Sequence, residues 1–135
     1  WIGAGSPKPI ARAARHGAWY AGPDLTEARA PEALALFRDE CELAGTEPRA
    51  LVRKDVIVLR DHDRATELGD DLITRGYRGM PREAVVYGGV DAAVEQLAPF
   101  REIGFDEVVV RCMTVAQADA LETLELMGEV RDRLR

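Results

Sequence analysis

The sequence predicts an α/β fold built on a parallel sheet, with about four βα units along its 135 residues. First, apolar runs alternate with segments whose apolar residues recur every three or four positions, as strands alternate with helices in such folds. Second, residues 56–59 and 108–110 are apolar without alternation, which indicates strands that are covered on both faces. About four units make half of an eight-stranded barrel.

Each predicted element has its own signal. The strands are apolar runs at residues 1–4, 18–20, 51–59, 85–87 and 108–110. Helices are predicted between them at residues 7–16, 26–44, 62–75 and 90–103, and from about residue 116 onward. Ser6 and Asp61 are expected at helix N-caps, and Gly45 and Gly104 at helix ends. Pro31 indicates that the regular part of the second helix begins near that residue.

Composition sets limits on function. Charged residues make up 31% and hydrophobic residues 47%, with a formal charge of −6 spread along the chain, which argues against a clustered nucleic-acid-binding face. Lys8 and Lys54 are the only lysines beside many arginines, which indicates a GC-rich bacterial genome. Cys41 and Cys112 lie far apart and are expected to be reduced thiols of a cytoplasmic protein. The sequence contains no apolar run near the roughly 20 residues that cross a bilayer.

The first residues suggest how the chain relates to a whole protein. Trp1 begins within an apolar run and is not an initiator Met, so we expect a fragment of a longer chain. No low-complexity linker interrupts the sequence, and we therefore expect one domain over residues 1–135.

Two segments carry a resemblance to a known family. The first contains Trp1-Ile2-Gly3-Ala4-Gly5-Ser6, then Ala13-Ala14-Arg15-His16-Gly17 and Trp19-Tyr20. The second contains Tyr87-Gly88-Gly89-Val90-Asp91-Ala92-Ala93-Val94, followed by Leu97, Gly104-Phe105-Asp106 and the last apolar strand. In their order and spacing, these segments resemble the bacterial luciferase-like, flavin-dependent monooxygenases and oxidoreductases, over essentially all of the chain.

The resemblance implies the C-terminal half of a TIM (β/α)8 barrel that binds FMN or a deazaflavin coenzyme at the carboxyl ends of its strands. It also implies oxidation or hydroxylation of a small organic substrate. By the same resemblance, the turn after the first strand contacts the cofactor phosphate through Gly5 and Ser6, and less securely through the backbone near Lys8. Pro9 departs from relatives that have a hydroxyl residue there, which puts one phosphate contact in doubt.

The first turn also makes chemical sense without the resemblance. Phosphates bind free backbone N–H groups at the positive end of a helix, and the small residues Gly3, Ala4 and Gly5 allow a close approach. Ser6 adds a hydroxyl donor and Lys8 a positive charge. The alternative is a plain βα turn with a serine N-cap.

Other candidate site residues have equally simple alternatives. Gly88 and Gly89 precede a helix and form either a second anion site or a flexible helix entry. Trp19 and Tyr20 end a strand, where each either walls the flavin ring or packs in the core. Arg111 lies at the end of the last strand and either binds an anionic substrate or cofactor or forms a salt bridge to a neighbouring loop.

The two histidines do not indicate a metal site. His16 is expected near the end of the first helix, and His62 follows Asp61 at a solvated helix start, with no third ligand nearby. The sequence therefore predicts no metal and leaves the catalytic residues unknown.

The leading functional hypothesis is a flavin-dependent oxidoreductase whose cofactor-phosphate half is this chain, with the cofactor and a small molecule as partners. The isolated fragment is then expected to show little or no turnover, and a homo-oligomer is expected. One alternative is a non-catalytic half-barrel that self-associates through open sheet edges. Another is a small α/β binding module that takes no flavin.

Overall fold

The computed structural model describes residues 1–114 and 116–135. Its strands are β1 (Ile2–Ala4), β2 (Ala18–Ala21), β3 (Arg49–Val58), β4 (Val85–Gly88) and β5 (Glu107–Cys112). Its α-helices are α1 (Pro7–Ala14), α2 (Ala30–Ala44), α3 (His62–Thr74), α4 (Val90–Ile103) and α5 (Gln117–Leu134).

The sheet confirms the predicted parallel α/β class. Its strand order is β1-β2-β3-β4, and β5 also pairs with β3. The β1–β2, β2–β3 and β3–β4 pairs are parallel, with Ile2 opposite Trp19, Ala18 opposite Arg49 and Asp55 opposite Val85. Strands and helices alternate as the apolar pattern predicts.

The chain divides into two compact units. The first contains Trp1–Arg53 and Phe100–Val109, and the second contains Lys54–Pro99 and Val110–Arg135. A single domain over residues 1–135 stays a prediction.

The first unit has a core of aromatic and small residues. The Trp19 ring lies 5.4 Å from Phe37 and 5.8 Å from Phe105, between centroids. Here β3 lies between β2 and β5, since the Arg49 N–H donates to the Gly17 carbonyl at 2.8 Å and the Asp106 N–H to the Ala50 carbonyl at 2.9 Å. The first of these bonds explains why β3 begins at Arg49, two residues before the predicted start.

The second unit has apolar clusters on both faces of β3. Ile57 packs with residues of α3 and β4, while Val56 and Val58 pack with α4 and α5. Successive side chains of a strand point to opposite faces, so these three residues require cover on both sides. Unbroken apolarity at residues 56–59 therefore predicted their surroundings correctly.

The same inference is wrong for part of β5. Val108 and Val109 are 37% and 38% exposed, although they lie in the other unbroken apolar run. Within the described residues, β3 is the strand that β5 pairs with. Consecutive exposed residues point to both faces, so this part of the strand lacks cover on either side.

Helix ends follow local chemistry. Asp61 caps α3, since its carboxylate accepts a hydrogen bond from the Arg64 N–H at 3.0 Å. Gly45 ends α2 with a φ of 68°, a left-handed conformation that favours glycine. The helix begins at Ala30, directly before Pro31, because proline is tolerated in a first turn and not deeper.

Within the described part of the chain, none of the helices combines the length and the apolar character needed to cross a membrane.

Candidate functional site

The turn from β1 into α1 is open to solvent. Gly3, Gly5 and Ser6 are exposed, and a Cβ atom placed on either glycine would meet no other atom within 4 Å. Ser6 holds the N-cap position with extended backbone, but its side chain makes no capping hydrogen bond. The hydroxyl is therefore not committed to the helix start and can face a ligand.

A hollow of about 440 Å³ lies beside this turn. Gly5, Ser6 and Pro7 line it together with Arg29, which comes from the 3₁₀ turn before α2. The Arg29 guanidinium is exposed and forms no ion pair within residues 1–114 and 116–135. Glu32 and Asp39 also line the hollow, so its charge is mixed.

Arg29 was missed at the sequence level. It lies 23 positions after Ser6 and has no motif around it. The packing of α1 against α2 brings it to the hollow, and no local pattern indicates that packing. Lys8, which the sequence predicted as a candidate site residue, is exposed on α1 and does not line the hollow.

Trp19 lies inside the core of the first unit. Its side chain is 1% exposed, and the indole N–H donates to the carbonyl of Ala4 at 2.9 Å. Of the two roles that the sequence left open, the buried ring fits core packing. The hydrogen bond also fixes the last residue of β1, directly before Gly5. Tyr20 is half-buried in β2.

The turn from β4 into α4 has the opposite character. The Gly89 N–H donates to Nδ1 of His62 at 3.1 Å. Gly88 has a φ of 133°, and a Cβ there would approach the Ala92 Cβ to 2.9 Å and the His62 ring to 3.2 Å. Glycine is needed here for close packing and an unusual backbone angle. This arrangement favours the helix-entry interpretation over a second anion site.

A groove of about 690 Å³ lies beside this second turn. Its arginines are paired with acids, Arg60 with Glu125 at 2.8 Å and Arg133 with Asp91 at 2.6 Å. Glu129 also lines it. The carboxylates of Asp91, Glu125 and Glu129 oppose the approach of a phosphate.

Arg111 is an ion-pair partner in the second unit. Its Nη1 lies 4.0 Å from Oδ2 of the fully buried Asp55, whose same oxygen accepts a 2.9 Å hydrogen bond from the Tyr77 hydroxyl. Burial, and then the hydrogen bond to Asp55, raise the pKa of Tyr77. The geometry fits the salt-bridge interpretation, but the partner is a strand carboxylate and not a loop residue.

The cysteines and histidines form no metal centre in the described residues. Cys41 and Cys112 are free thiols, as expected, and burial raises the pKa of Cys112. His16 is exposed beyond the last turn of α1. His62 lies at an exposed helix start, as the sequence predicts, and it also accepts a hydrogen bond from the Gly89 N–H.

Comparison with solved structures identifies the fold. The chain is similar to monooxygenase RslO1 from Streptomyces bottropensis, with 17% identity and a TM-score of 0.72 over 92% of this chain and 44% of that one. It is similar to a coenzyme F420-dependent tetrahydromethanopterin reductase from Methanopyrus kandleri, with 16% identity and a TM-score of 0.70 over 98% of this chain and 50% of that one.

A third similar structure is a type II Baeyer–Villiger monooxygenase, the oxygenating constituent of 3,6-diketocamphane monooxygenase from Pseudomonas putida, in complex with FMN. The identity is 13% and the TM-score 0.73, over 93% of this chain and 45% of that one. No protein-family model and no curated protein matches the sequence.

The chain thus spans about half the length of these three structures. The similarity agrees with the resemblance seen in the sequence and with the predicted half-barrel. In fold, this chain is similar to about half of a luciferase-like TIM barrel.

Proposed function

We propose that this chain is the part of an FMN- or deazaflavin-dependent oxidoreductase that binds the cofactor phosphate. The observation that carries the proposal is the hollow beside the β1–α1 turn, where an uncommitted Ser6 hydroxyl and the Arg29 guanidinium line the same space. Similar solved structures include an F420-dependent enzyme and one with FMN, which supports a flavin or deazaflavin as the ligand.

The residues of this turn fit a phosphate in three respects. The space above Gly3 and Gly5 allows an anion to approach the backbone. The amino end of α1 carries a partial positive charge, which stabilises anions. Arg29 offers a planar guanidinium that can bond two phosphate oxygens at once. Pro7 and Pro9 have no N–H, so the side chains of Ser6 and Arg29 become more important.

A flavin or deazaflavin, when bound, supplies the electron or hydride transfer, and the protein binds, orients and shields it. Within this scheme, Ser6 and Arg29 hold the phosphate. Trp19 acts as a positioning residue, because its indole N–H fixes the Ala4 carbonyl next to the turn. The groups that contact the ring and the substrate are expected from the other half of the barrel, so the chain alone is proposed to have little or no turnover.

A titration with FMN, in which quenching of the FMN fluorescence reports binding, tests the proposal. Loss of one charge-assisted hydrogen bond costs roughly 1.5–3 kcal/mol, so Arg29→Ala is expected to weaken binding at least about tenfold. Arg12→Ala is the matched control, since Arg12 is an exposed arginine of α1 that does not line the hollow.

Riboflavin, which lacks the phosphate, should bind the wild type and Arg29→Ala equally. Equal loss of FMN affinity in Arg29→Ala and Arg12→Ala, or no FMN or deazaflavin binding by the wild type, would contradict the proposal. Robust substrate oxidation by the purified chain would contradict the proposed lack of turnover.

The exposed valines of β5 favour a second candidate function, a non-catalytic half-barrel that self-associates. Val108 and Val109 leave apolar surface on an edge strand, and such edges invite pairing with another chain. Sedimentation across a range of concentrations, together with Val108→Lys, separates the two. A dimer that Val108→Lys dissociates, in a chain that binds no flavin, would favour this function.

A further inference from the structure

The connection after α3 has an unusual backbone. We call residues 76–80 the strap. Gly76, Arg78 and Gly79 have φ angles of 80°, 50° and 66°, so three of its residues adopt the left-handed region. Arg78 is the described chain's one residue other than glycine with positive φ. Backbone of this kind persists only where surrounding contacts hold it.

The strap's own backbone bonds are local. Gly76 N–H donates to Ile73 at 2.8 Å, Gly79 N–H to Gly76 at 3.1 Å and Met80 N–H to Tyr77 at 2.9 Å. None of these three bonds reaches a strand. They shape the strap but do not hold it against the sheet.

Two side chains of the strap pack against the rest of the second unit. Met80 is buried in the apolar cluster that contains Ile57, and Tyr77 packs at its border. The Tyr77 hydroxyl donates to Oδ2 of Asp55, a carboxylate with 0% exposure in the middle of β3. A hydrogen bond to a buried carboxylate is among the stronger ones in proteins.

We propose that the hydrogen bond from Tyr77 to Asp55 is a latch that holds the strap closed, and that its release exposes the buried Asp55 carboxylate beside the already exposed Arg111 guanidinium. The left-handed backbone at Arg78 favours opening, and the buried hydrogen bond opposes it. The strap is thus a two-state segment whose closed state is held by this hydrogen bond together with the burial of Met80. This inference is independent of the proposed cofactor site.

The raised pKa of Tyr77 supports this role. Burial raises it most, followed by the hydrogen bond and charge of Asp55, while the charges of Arg111 and Arg78 lower it. The phenol therefore keeps its proton at neutral pH and remains a donor. The latch is expected to stay closed until the medium is strongly alkaline.

Amide hydrogen exchange of Tyr77→Phe tests the latch. Exchange at residues 76–80 and at Asp55 is expected to accelerate about tenfold, with little change in α5. Tyr20→Phe is the matched control, since Tyr20 is half-buried in β2 and lies outside the second unit. Unchanged protection of the strap in Tyr77→Phe would overturn the proposal, and so would equal acceleration across the whole second unit.

Trypsin provides a second readout, because Arg75 and Arg78 flank Tyr77. Cleavage at these two arginines is expected to be several times faster in Tyr77→Phe than in the wild type. Asp55→Asn keeps an acceptor oxygen and should lie between the two. Cleavage rates that are the same in all three proteins would contradict a latch.

Discussion

The turns that follow β1 and β4 look alike in sequence and differ in structure. Both place glycines between a short strand and a helix, and in both the sequence left an anion site open beside a simpler structural role. The turn after β1 has open space above Gly5, and the hollow beside it contains an arginine, Arg29, as well as two acids. In the turn after β4, His62 accepts the hydrogen bond of the Gly89 N–H, and the arginines of the groove are paired with acids. Glycine allows a group to approach the backbone closely, but the neighbouring side chains decide whether that group is a ligand or another part of the protein.

The largest effect that separates the two turns is expected from adding a methyl group. Gly88→Ala places a Cβ 2.9 Å from the Ala92 Cβ at a φ of 133°. Backbone strain and overpacking together should lower the free energy of unfolding by about 3 kcal/mol. Gly5→Ala meets open space, and its effect should stay below about 0.5 kcal/mol. Urea unfolding measures both changes in the free energy of unfolding. Equal losses in the two variants would contradict the difference between an open and a closed turn.

The next effect concerns how the turn after β1 is held. Trp19→Phe removes the donor to the Ala4 carbonyl and leaves a cavity among Phe37 and Phe105. The lost hydrogen bond and packing should destabilise the protein by about 2 kcal/mol. FMN binding should weaken as well, because the turn loses its support. A variant with wild-type stability and wild-type FMN affinity would show that Trp19 does not position the turn.

Alkaline pH should lower the stability that Tyr87, next to the turn after β4, contributes to the fold. Tyr87 lies directly before Gly88, and burial, followed by its hydrogen bond to Asp70, raises its pKa from 10.0 to about 12. A raised folded-state pKa stabilises the protein fully below pH 10, and that stabilisation disappears as pH rises through 12. By this linkage, roughly 1 kcal/mol should be lost by pH 11. Unfolding of wild type and Tyr87→Phe across pH 8–11.5 measures it, and parallel curves would contradict the shift.

The smallest expected change in stability comes from His62, whose ring accepts the hydrogen bond of the Gly89 N–H. His62→Ala frees the Gly89 N–H, and because the site is exposed, water replaces the bond at a cost of about 0.5 kcal/mol. If His62 alone closes this turn, phosphate should now shift the Gly89 amide resonance. His16→Ala is the control on an exposed histidine in the other unit. No response to phosphate would mean that the acids of the groove also exclude anions.

Much of the fold could be predicted because its signals are local. Asp61 and Gly45 were placed correctly as caps, since capping depends on a residue and its immediate neighbours. Residues 56–58 were recognised as covered on both faces because their environment matches their own apolarity. Val108 and Val109 have the same local pattern, yet their exposure depends on which elements surround β5.

Less of the candidate site could be predicted, because its contacts join distant positions. Arg29 and Ser6 line one hollow, and His62 accepts a hydrogen bond from the Gly89 N–H, through packing that no short motif indicates. Arg111 was recognised as a strand-end arginine, but its partner Asp55 lies 56 positions earlier. Which charge neutralises which arginine is settled by three-dimensional proximity.

By itself, the sequence determined the parallel α/β class, the order of strands and helices, and the two glycine turns, because hydrophobic periodicity and capping act over a few residues. Only the tertiary structure decided that the turn after β1 is open and the turn after β4 is closed. The physical reason is that a backbone N–H is available or occupied according to the side chains that packing brings within hydrogen-bond distance, and those side chains come from elsewhere in the chain.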